Sequence, residues 1–359
     1  MRAIVGLAAA FCLAAGSPAW ALTAVGTDFY RVHVADEESG YSFGTWNAVT
    51  GSRHPAGEGR DLLFDGETTN TNYSTLRVYG SGGPRDYATE AYAPGVGEGV
   101  ALDLYYIAEG PSPLASEGAG WRVEWCVEPE ALWVTQDVFV VGETFATAAI
   151  YHTVEIRNMG DADVAVGWRN LYDWAVNDPS FDDGPANRVE GAAGAVVVPF
   201  TTREFLHASN PGELVRVSVD RTTEDPPEAV VPTYQPLLAL GYDPRFRPDL
   251  PVTLPDAYAF VSWPYAYGSL FEYLVDPAFD ATDDTAGLSW FGLTAETAPV
   301  LSAGDTVRFT QVLFGALPSA PPGKTSPVPE PSTLALLATG LAVLARRRGT
   351  SPGTALRRR

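Results

Sequence analysis

The chain has 359 residues, of which 23 are basic and 44 are acidic, giving a formal net charge of −21 at pH 7. A surface this acidic repels phosphate backbones and anionic lipid headgroups, so we expect no nucleic-acid partner. There are two cysteines, Cys12 and Cys126, and the first lies in a segment that we expect to be removed, so no intramolecular disulfide is predicted.

The N-terminus has the parts of a secretory signal peptide. A short positive start precedes the apolar stretch 3–16, and Ala19 and Ala21 fit the small-x-small pattern of a cleavage site. We therefore predict that residues 1–21 direct export and that signal peptidase leaves a mature chain beginning at Leu22. The alternative interpretation is an N-terminal anchor that is not cleaved.

The body, residues 22–317, shows the period-two alternation of half-buried β-strands. In Trp121–Val127, for example, alternate positions are Trp or Val, and the positions between them include Arg122 and Glu124. No amphipathic helix of three turns is predicted, and clusters of Gly, Pro, Asn and Asp separate the apolar segments. The predicted strands are 101–108, 121–127, 132–141, 151–157, 164–171, 195–200, 214–220, 237–242, 257–263, 288–292 and 307–317.

Many short strands separated by turns favour an all-β fold, a large two-sheet antiparallel β-sandwich. The Pro-, Glu- and Thr-rich stretch 221–236 is either a break between two sandwiches or a long loop within one, and we favour the loop. The strand–turn–strand segment Glu155–Tyr172 and the segments Leu288–Gly292 and Val307–Gly315, joined by Ser302–Asp305, resemble the supersandwich domains of the galactose-mutarotase-like class. That resemblance implies a fold and no site residues.

Two acidic loops repeat the pattern Val-x-Asp-Pro-x-Phe-Asp or a close variant, around residues 176–184 and 275–284. Asp178, Ser180 and Asp182 have the spacing of oxygen ligands in a Ca²⁺ loop, but the glycine comes one position late, at Gly184, and the bidentate acid of an EF-hand is absent. Asx turns with solvated carboxylates are the alternative interpretation. Ca²⁺ is the one possible cofactor, and its candidate ligands are Asp178, Asp182, Asp183, Asp276, Asp280 and Asp283.

Catalytic chemistry has little support in the sequence. The cluster of Glu124, Glu128 and Glu130 offers carboxylates that a glycosidase needs, although sequence spacing does not test their separation. The four histidines lack zinc-binding spacing, and no nucleophile elbow or phosphate loop is present. The segment Trp168–Trp174 is interpreted either as an aromatic platform for sugars or as a buried strand with an internal Arg169–Asp173 pair.

The C-terminus combines three features in a fixed order. A proline-rich linker with a Pro-Glu-Pro turn, residues 318–331, leads into the uncharged run Thr333–Ala345, and Arg346, Arg347 and Arg348 follow. Thirteen helical residues span only ~20 Å, against the ~30 Å of a bilayer core, so spanning requires that the flanking arginines reach the interface. We predict a short transmembrane helix at 332–348, with a basic cytoplasmic end and the tail 349–359.

This tail resembles the PEP-CTERM sorting signal of Gram-negative bacteria, through Val328, Pro329, Glu330 and Pro331, the hydrophobic run and the arginine cluster. The resemblance implies a precursor held in the inner membrane, cleavage by an exosortase near the Pro-Glu-Pro motif, and release to the cell surface or extracellular matrix. The extension 349–359, with three further arginines, departs from the usual pattern.

The body between the two signals is even more acidic than the whole chain. Eight basic residues (Arg2, Lys324 and six arginines of the tail) and one acidic residue, Glu330, lie outside it, which leaves 15 basic and 43 acidic residues and a net charge of −28. We expect a non-catalytic exported protein that binds polysaccharide or Ca²⁺ in the matrix or at the cell surface. A carbohydrate-active enzyme of the same sandwich type is the alternative.

Overall fold

The computed structural model describes the body of the chain between residues 24 and 316, with gaps. The described residues are 24–35, 44–55, 57–63, 71–90, 100–105, 111–114, 119–175, 186–191, 196–208, 214–220, 229–233, 247, 249–280 and 285–316. They belong to one compact unit that ends at Leu317. No helix within them has the length and apolarity needed to cross a bilayer. The predicted signal peptide 1–21 and the C-terminal segment 318–359 lie outside the described residues.

Strands dominate the described residues, as predicted. They are β1 (Val25–Gly26), β2 (Tyr30–Val34), β3 (Trp46–Thr50), β4 (Tyr73–Gly80), β5 (Gly83–Ala88), β6 (Val100–Ala101), β7 (Ser112–Pro113), β8 (Ala119–Val127), β9 (Leu132–Val141), β10 (Ala149–Asn158), β11 (Val164–Trp174), β12 (Ala186–Gly191), β13 (Val196–Thr201), β14 (Phe205–Ala208), β15 (Leu214–Asp220), β16 (Ala229–Thr233), β17 (Ala257–Ser262), β18 (Thr285–Phe291), β19 (Val300–Leu301) and β20 (Thr306–Ala316). The helical elements are α1 (Trp263–Tyr267) and the 3-10 turns Leu102–Tyr105 and Glu128–Glu130.

These strands form three sheets within the described part of the chain. Sheet I has the order β13-β12-β15-β16-β20-β10-β9-β8-β7, and sheet II has the order β14-β17-β18-β11-β4-β5-β6, with β19 paired to β11. The third sheet is β1-β2-β3. Neighbouring strands pair antiparallel, apart from the short parallel pair of β5 and β6. The mostly antiparallel all-β sandwich predicted from the sequence is confirmed.

Sheets I and II share one hydrophobic core. Along β8, Val123 and Trp125 are buried, because the two-residue period sends alternate side chains to opposite faces of a strand. From sheet II, Trp168 and Tyr172 of β11 join the same core, and Trp46 of β3 closes it from the third sheet. Strands that are far apart in the sequence pair antiparallel in both sheets, since β10 pairs with β20 and β11 pairs with β18.

A buried polar network crosses this core. The Nδ1 atom of His152 lies 2.8 Å from the hydroxyl of Tyr172, and the Ser74 hydroxyl donates to the side-chain oxygen of Asn170 at 2.7 Å. Asn170 and Tyr172 both donate to the side-chain oxygen of Gln311 on the opposite sheet. Because an unpaired buried polar group is costly, this network stabilises one alignment of the two sheets.

The outer face of sheet II is covered by α1 and the segment that follows it. Glu204 is only 3% exposed and connects this covering segment to the end of β17 through hydrogen bonds. One carboxylate oxygen accepts the backbone N–H of Ser262 at 2.9 Å and the hydroxyl of Tyr273 at 2.7 Å. The other oxygen accepts the backbone N–H of Asp276 at 2.9 Å. The carboxylate therefore orders a segment of the chain that has few regular backbone pairings of its own.

One predicted strand needs correction, and another falls outside the described residues. Of the predicted strand 101–108, Ala101 ends the two-residue strand β6 and Leu102–Tyr105 form a 3-10 turn, while residues 106–108 lie outside the described residues. Leu102 is buried and Tyr105 packs against the same core, and a spacing of three residues suits a 3-10 turn better than a strand. The predicted strand 237–242 lies outside the described residues. Within 221–236, the residues 229–233 form β16 of sheet I, and the others are not described.

Of the two interpretations of Trp168–Trp174, the aromatic platform is wrong. Trp168 and Tyr172 are at most 1% exposed and Trp174 is 3% exposed, so the segment is the buried strand of the alternative interpretation. Its arginine does not pair as expected. The guanidinium of Arg169 donates to the hydroxyl of Tyr73 at 3.0 Å and to Ser269.

Candidate functional site

A groove of about 490 Å³ lies on the face of sheet I that points away from the core. Its floor comes from four neighbouring strands, β8, β9, β10 and β20, and residues 249–250 contribute one wall. The lining residues are Arg122, Glu124, Trp133, Thr135, Asp137, Phe139, Thr153, Glu155, Arg157, Met159, Asp249, Leu250 and Arg308.

Strand register brings these side chains together in rows. Glu124, Thr135, Glu155 and Arg308 occupy successive paired positions on β8, β9, β10 and β20. The polar positions of each strand fall on this face because the apolar positions between them are buried in the core. The alternation that buries one set of side chains between the sheets therefore places the other set in the groove.

Two arginine–carboxylate pairs hold the floor of the groove. Arg122 binds Asp137 through two hydrogen bonds of 2.7 and 2.8 Å, the bidentate geometry that is strongest for this pair. This hydrogen bonding raises the pKa of Arg122. Arg308 donates twice to one oxygen of Glu155, at 3.2 and 2.6 Å. All four side chains are partly exposed, so the two ion pairs contribute little to the stability of the fold. Their main effect is to hold these four side chains in fixed positions.

The third carboxylate, Glu124, orients an aromatic ring. One of its oxygens accepts the indole N–H of Trp133 at 3.2 Å and lies 3.4 Å from the hydroxyl of Thr135. The indole is half-buried and lines the groove. A flat apolar ring whose polar edge is fixed by a neighbour is the type of surface against which a sugar ring packs.

One end of the groove is apolar because a loop lies over the sheet. The backbone N–H of Arg247 donates to the hydroxyl of Tyr151 at 2.8 Å, and the ring of Tyr151 stacks on Phe139 with centroids 5.2 Å apart. Leu250 packs on this cluster. Arg247 also pairs with Asp249 and lowers the pKa of that carboxyl through its hydrogen bond.

The carboxylate cluster predicted from the sequence is divided by the structure. Glu124 lines the groove, whereas Glu128 is exposed and Glu130 accepts hydrogen bonds from Arg85 and Tyr87 outside the groove. The sequence reasoning missed Asp137 and Glu155, which come from other strands. In the sequence these two acids alternate with buried residues, which marks them as outward-facing. Only the strand register shows that they lie on the same face of the sheet as Glu124.

The candidate Ca²⁺ ligands are described only in part. One carboxylate oxygen of Asp276 accepts the backbone N–H of Ala278 at 2.9 Å, which is an Asx turn, and Asp280 forms a β-bridge with Arg203. The other candidates, Asp178, Asp182, Asp183 and Asp283, lie outside the described residues. Among the residues that are described, no three His, Cys, Asp or Glu side chains converge to hold a metal ion. Ca²⁺ binding by the two loops stays a prediction.

Solved structures of galactose mutarotase-like proteins are similar to this chain. A galactose mutarotase-like protein from Lactobacillus casei is similar in structure with a TM-score of 0.45 and 10% identity, over 82% of this chain and 100% of that chain. An aldose epimerase homologue from C. elegans has a TM-score of 0.36 at 10% identity, over 82% and 100%. The Slr1438 protein from Synechocystis sp. PCC 6803 has a TM-score of 0.43 at 10% identity, over 82% and 95%. This likeness concerns the sheets and assigns no site residue.

The C-terminus matches a family model for a sorting motif. Residues 327–348 match the family described as the PEP-CTERM protein-sorting motif, which confirms the resemblance seen in the sequence. The motif indicates an exported protein that is sorted by an exosortase. None of the curated proteins matches the chain.

Proposed function

We propose that this protein is a non-catalytic surface or extracellular-matrix component whose sandwich binds polysaccharide in the groove of sheet I. The observation that carries the proposal is the groove itself. It combines a half-buried indole, Trp133, with polar side chains held in fixed positions by their own hydrogen bonds. Sugars present both apolar ring faces and hydroxyl groups, so a binding site needs flat apolar surface and pre-positioned donors and acceptors.

The shape and position of the groove favour a chain over a single sugar. It is an open depression that extends over four strands, and strands lie about 4.8 Å apart, so the paired row from Glu124 to Arg308 measures about 14 Å. A depression of that length accommodates several sugar units lying across the sheet.

Delivery to the outside of the cell fits the same proposal. A precursor with a cleaved signal peptide and a short C-terminal helix would be held in the inner membrane of a Gram-negative bacterium, where an exosortase cuts near Pro329–Pro331. Release would then place the body beside the polysaccharides of the cell surface and matrix.

Binding is tested with polysaccharides in solution and one aromatic substitution. Trp133→Ala removes the ring from the groove, while Tyr265→Ala, the control, removes a ring that is 62% exposed on α1. We expect Trp133→Ala to weaken binding at least about tenfold, as loss of a central aromatic contact does, and Tyr265→Ala to leave it unchanged. The measurement is affinity electrophoresis of the full-length protein in a sugar-free zwitterionic detergent, with neutral or acidic polysaccharide in the gel. Equal losses in both variants would contradict the assignment of the groove.

Hydrolysis of the bound chain is the second candidate function, and one observation favours it. Glu124 and Glu155 face the same groove from strands that are separated by β9, so their backbones lie about 10 Å apart. Inverting glycosidases place their two carboxyl groups about 6.5–9.5 Å apart, a separation that is within reach of glutamate side chains on such backbones. Release of reducing ends that is abolished by Glu124→Gln or Glu155→Gln would establish the enzyme, whereas binding without release would establish the binding protein.

A further inference from the structure

The charged side chains that line the groove do not all have partners. Each of the four carboxylates that line it already has a donor. The pairs are Asp137 with Arg122, Glu155 with Arg308, Asp249 with Arg247, and Glu124 with Trp133 and Thr135.

One guanidinium of the lining remains without a counterion. Arg157 is exposed, and its guanidinium has no hydrogen bond or ion pair with any of the described residues. Glu155 lies two positions earlier on the same face of β10, yet its carboxylate accepts from Arg308. Glu124 also lacks a cationic partner, but two neutral donors stabilise its charge. Among the described residues of the lining, the guanidinium of Arg157 is therefore the charged group without a side-chain partner.

The position of Arg157 relates this cation to the aromatic ring. Arg157 on β10 is the direct cross-strand partner of Trp133 on β9, so the two side chains leave the sheet side by side on the same face. Met159, which is 53% exposed, continues the same side of the groove and adds apolar surface. A sugar unit that packs on the indole has its substituents within reach of the guanidinium.

We propose that the groove prefers a polysaccharide that carries carboxylates, a uronate-containing chain, and that Arg157 pairs with the sugar carboxylate. A guanidinium binds a carboxylate through two parallel hydrogen bonds, which fixes its orientation as well as its charge. This inference rests on the proposed function, because it names the class of ligand for the same groove.

The net acidity of the body does not prevent such binding at physiological salt. The Debye length is then about 8 Å, so carboxylates elsewhere on the surface are largely screened, while a contact in the groove is not. The four acids of the lining itself hold their own donors. We therefore expect the preference for uronate at about 0.15 M salt, where long-range repulsion is weak.

The test uses one polymer in two chemical forms. Polygalacturonate and its methyl ester differ only in the charge of the carboxyl group, and both are offered to the full-length protein in the detergent used above. The variants are Arg157→Gln, which removes charge but keeps a polar side chain, and Arg157→Lys, which keeps the charge. Arg53→Gln is the matched control. The side chain of Arg53 is 65% exposed, makes a 3.5 Å ion pair with Asp28, lies over the ring of Phe29 and is outside the groove lining.

We expect wild type to bind polygalacturonate about tenfold more tightly than the ester, as one charge-assisted pair would produce. Arg157→Gln should abolish that preference, Arg157→Lys should keep part of it, and Arg53→Gln should keep all of it. Equal binding of the two forms by wild type overturns the inference and leaves the proposed function standing. A preference that survives Arg157→Gln also overturns it. Failure of wild type to bind both forms overturns it too, and if neutral xylan and dextran also fail to bind, the proposed function falls as well.

Discussion

Glu204 offers the sharpest prediction of stability, because one buried carboxylate holds three donors from two separate segments. Its substitution by alanine leaves the backbone N–H groups of Ser262 and Asp276 and the hydroxyl of Tyr273 without their acceptor. Burial and the bond to Glu204 both raise the pKa of Tyr273, so its hydroxyl stays a donor at neutral pH.

The magnitude follows from these three bonds. A hydrogen bond to a charged group contributes about 1.5–3 kcal/mol, but bonds to one carboxylate are not additive, and its removal also relieves the cost of burying the charge. We expect Glu204→Ala to lower the free energy of unfolding by about 4 kcal/mol. For a body of this size, that corresponds to a fall in melting temperature of about 6 °C.

Glu204→Gln separates the hydrogen bonds from the bulk of the side chain. The amide oxygen can keep the Ser262 and Tyr273 donors, whereas the amide nitrogen opposes the N–H of Asp276, since neither group can accept. The expected loss is about 2 kcal/mol, between wild type and Glu204→Ala.

The assay is thermal unfolding followed by circular dichroism at neutral pH. The control is Glu58→Ala, whose ion pair with Arg31 is exposed on both sides and contributes less than about 1 kcal/mol. If Glu204→Ala and Glu204→Gln both melted within about 1 °C of wild type, the carboxylate would not hold the cover of sheet II and the reasoning would be refuted.

Three further predictions concern acid, calcium and sorting. Burial lowers the pKa of His152 to about 3, so the folded state resists protonation, and stability should fall as the pH drops below 6.5, by about 2 kcal/mol at pH 5. Urea unfolding at pH 7.5 and pH 5 checks this, and His152→Gln should reduce the difference. If Asp178, Asp182, Asp183, Asp276, Asp280 and Asp283 bind Ca²⁺, a chelator should lower the melting temperature, and an unchanged midpoint would reject the site. Replacing Arg346, Arg347 and Arg348 with serine should impair membrane retention of the precursor, which fractionation measures, and normal retention would contradict the role of the tail.

Local chemistry explains which parts of the fold were predictable. The strands at β8, β9, β15 and β20 were predicted almost to the residue, because Val and Trp alternate there with charged side chains and turn residues mark the ends. Strands such as β3 and β4 were missed because they are buried on both faces and carry no alternation.

The candidate site was predictable only in part. Glu124, which the sequence analysis singled out, lines the groove, but it was grouped with Glu128 and Glu130 on the basis of sequence proximity. A 3-10 turn at Glu128–Glu130 ends the strand and directs these acids elsewhere. The groove is built across strands, so its other members were far from Glu124 in the sequence.

The sequence by itself determined that this protein carries a sorting motif and that its body is made of strands. A sorting motif is a linear signal read along the chain, and strand alternation depends on neighbouring residues, so both are visible without a fold. Only the tertiary structure decided which charges meet. The register between β8, β9, β10 and β20 sets each acid beside its donor and leaves Arg157 beside Trp133, and register is a property of paired strands.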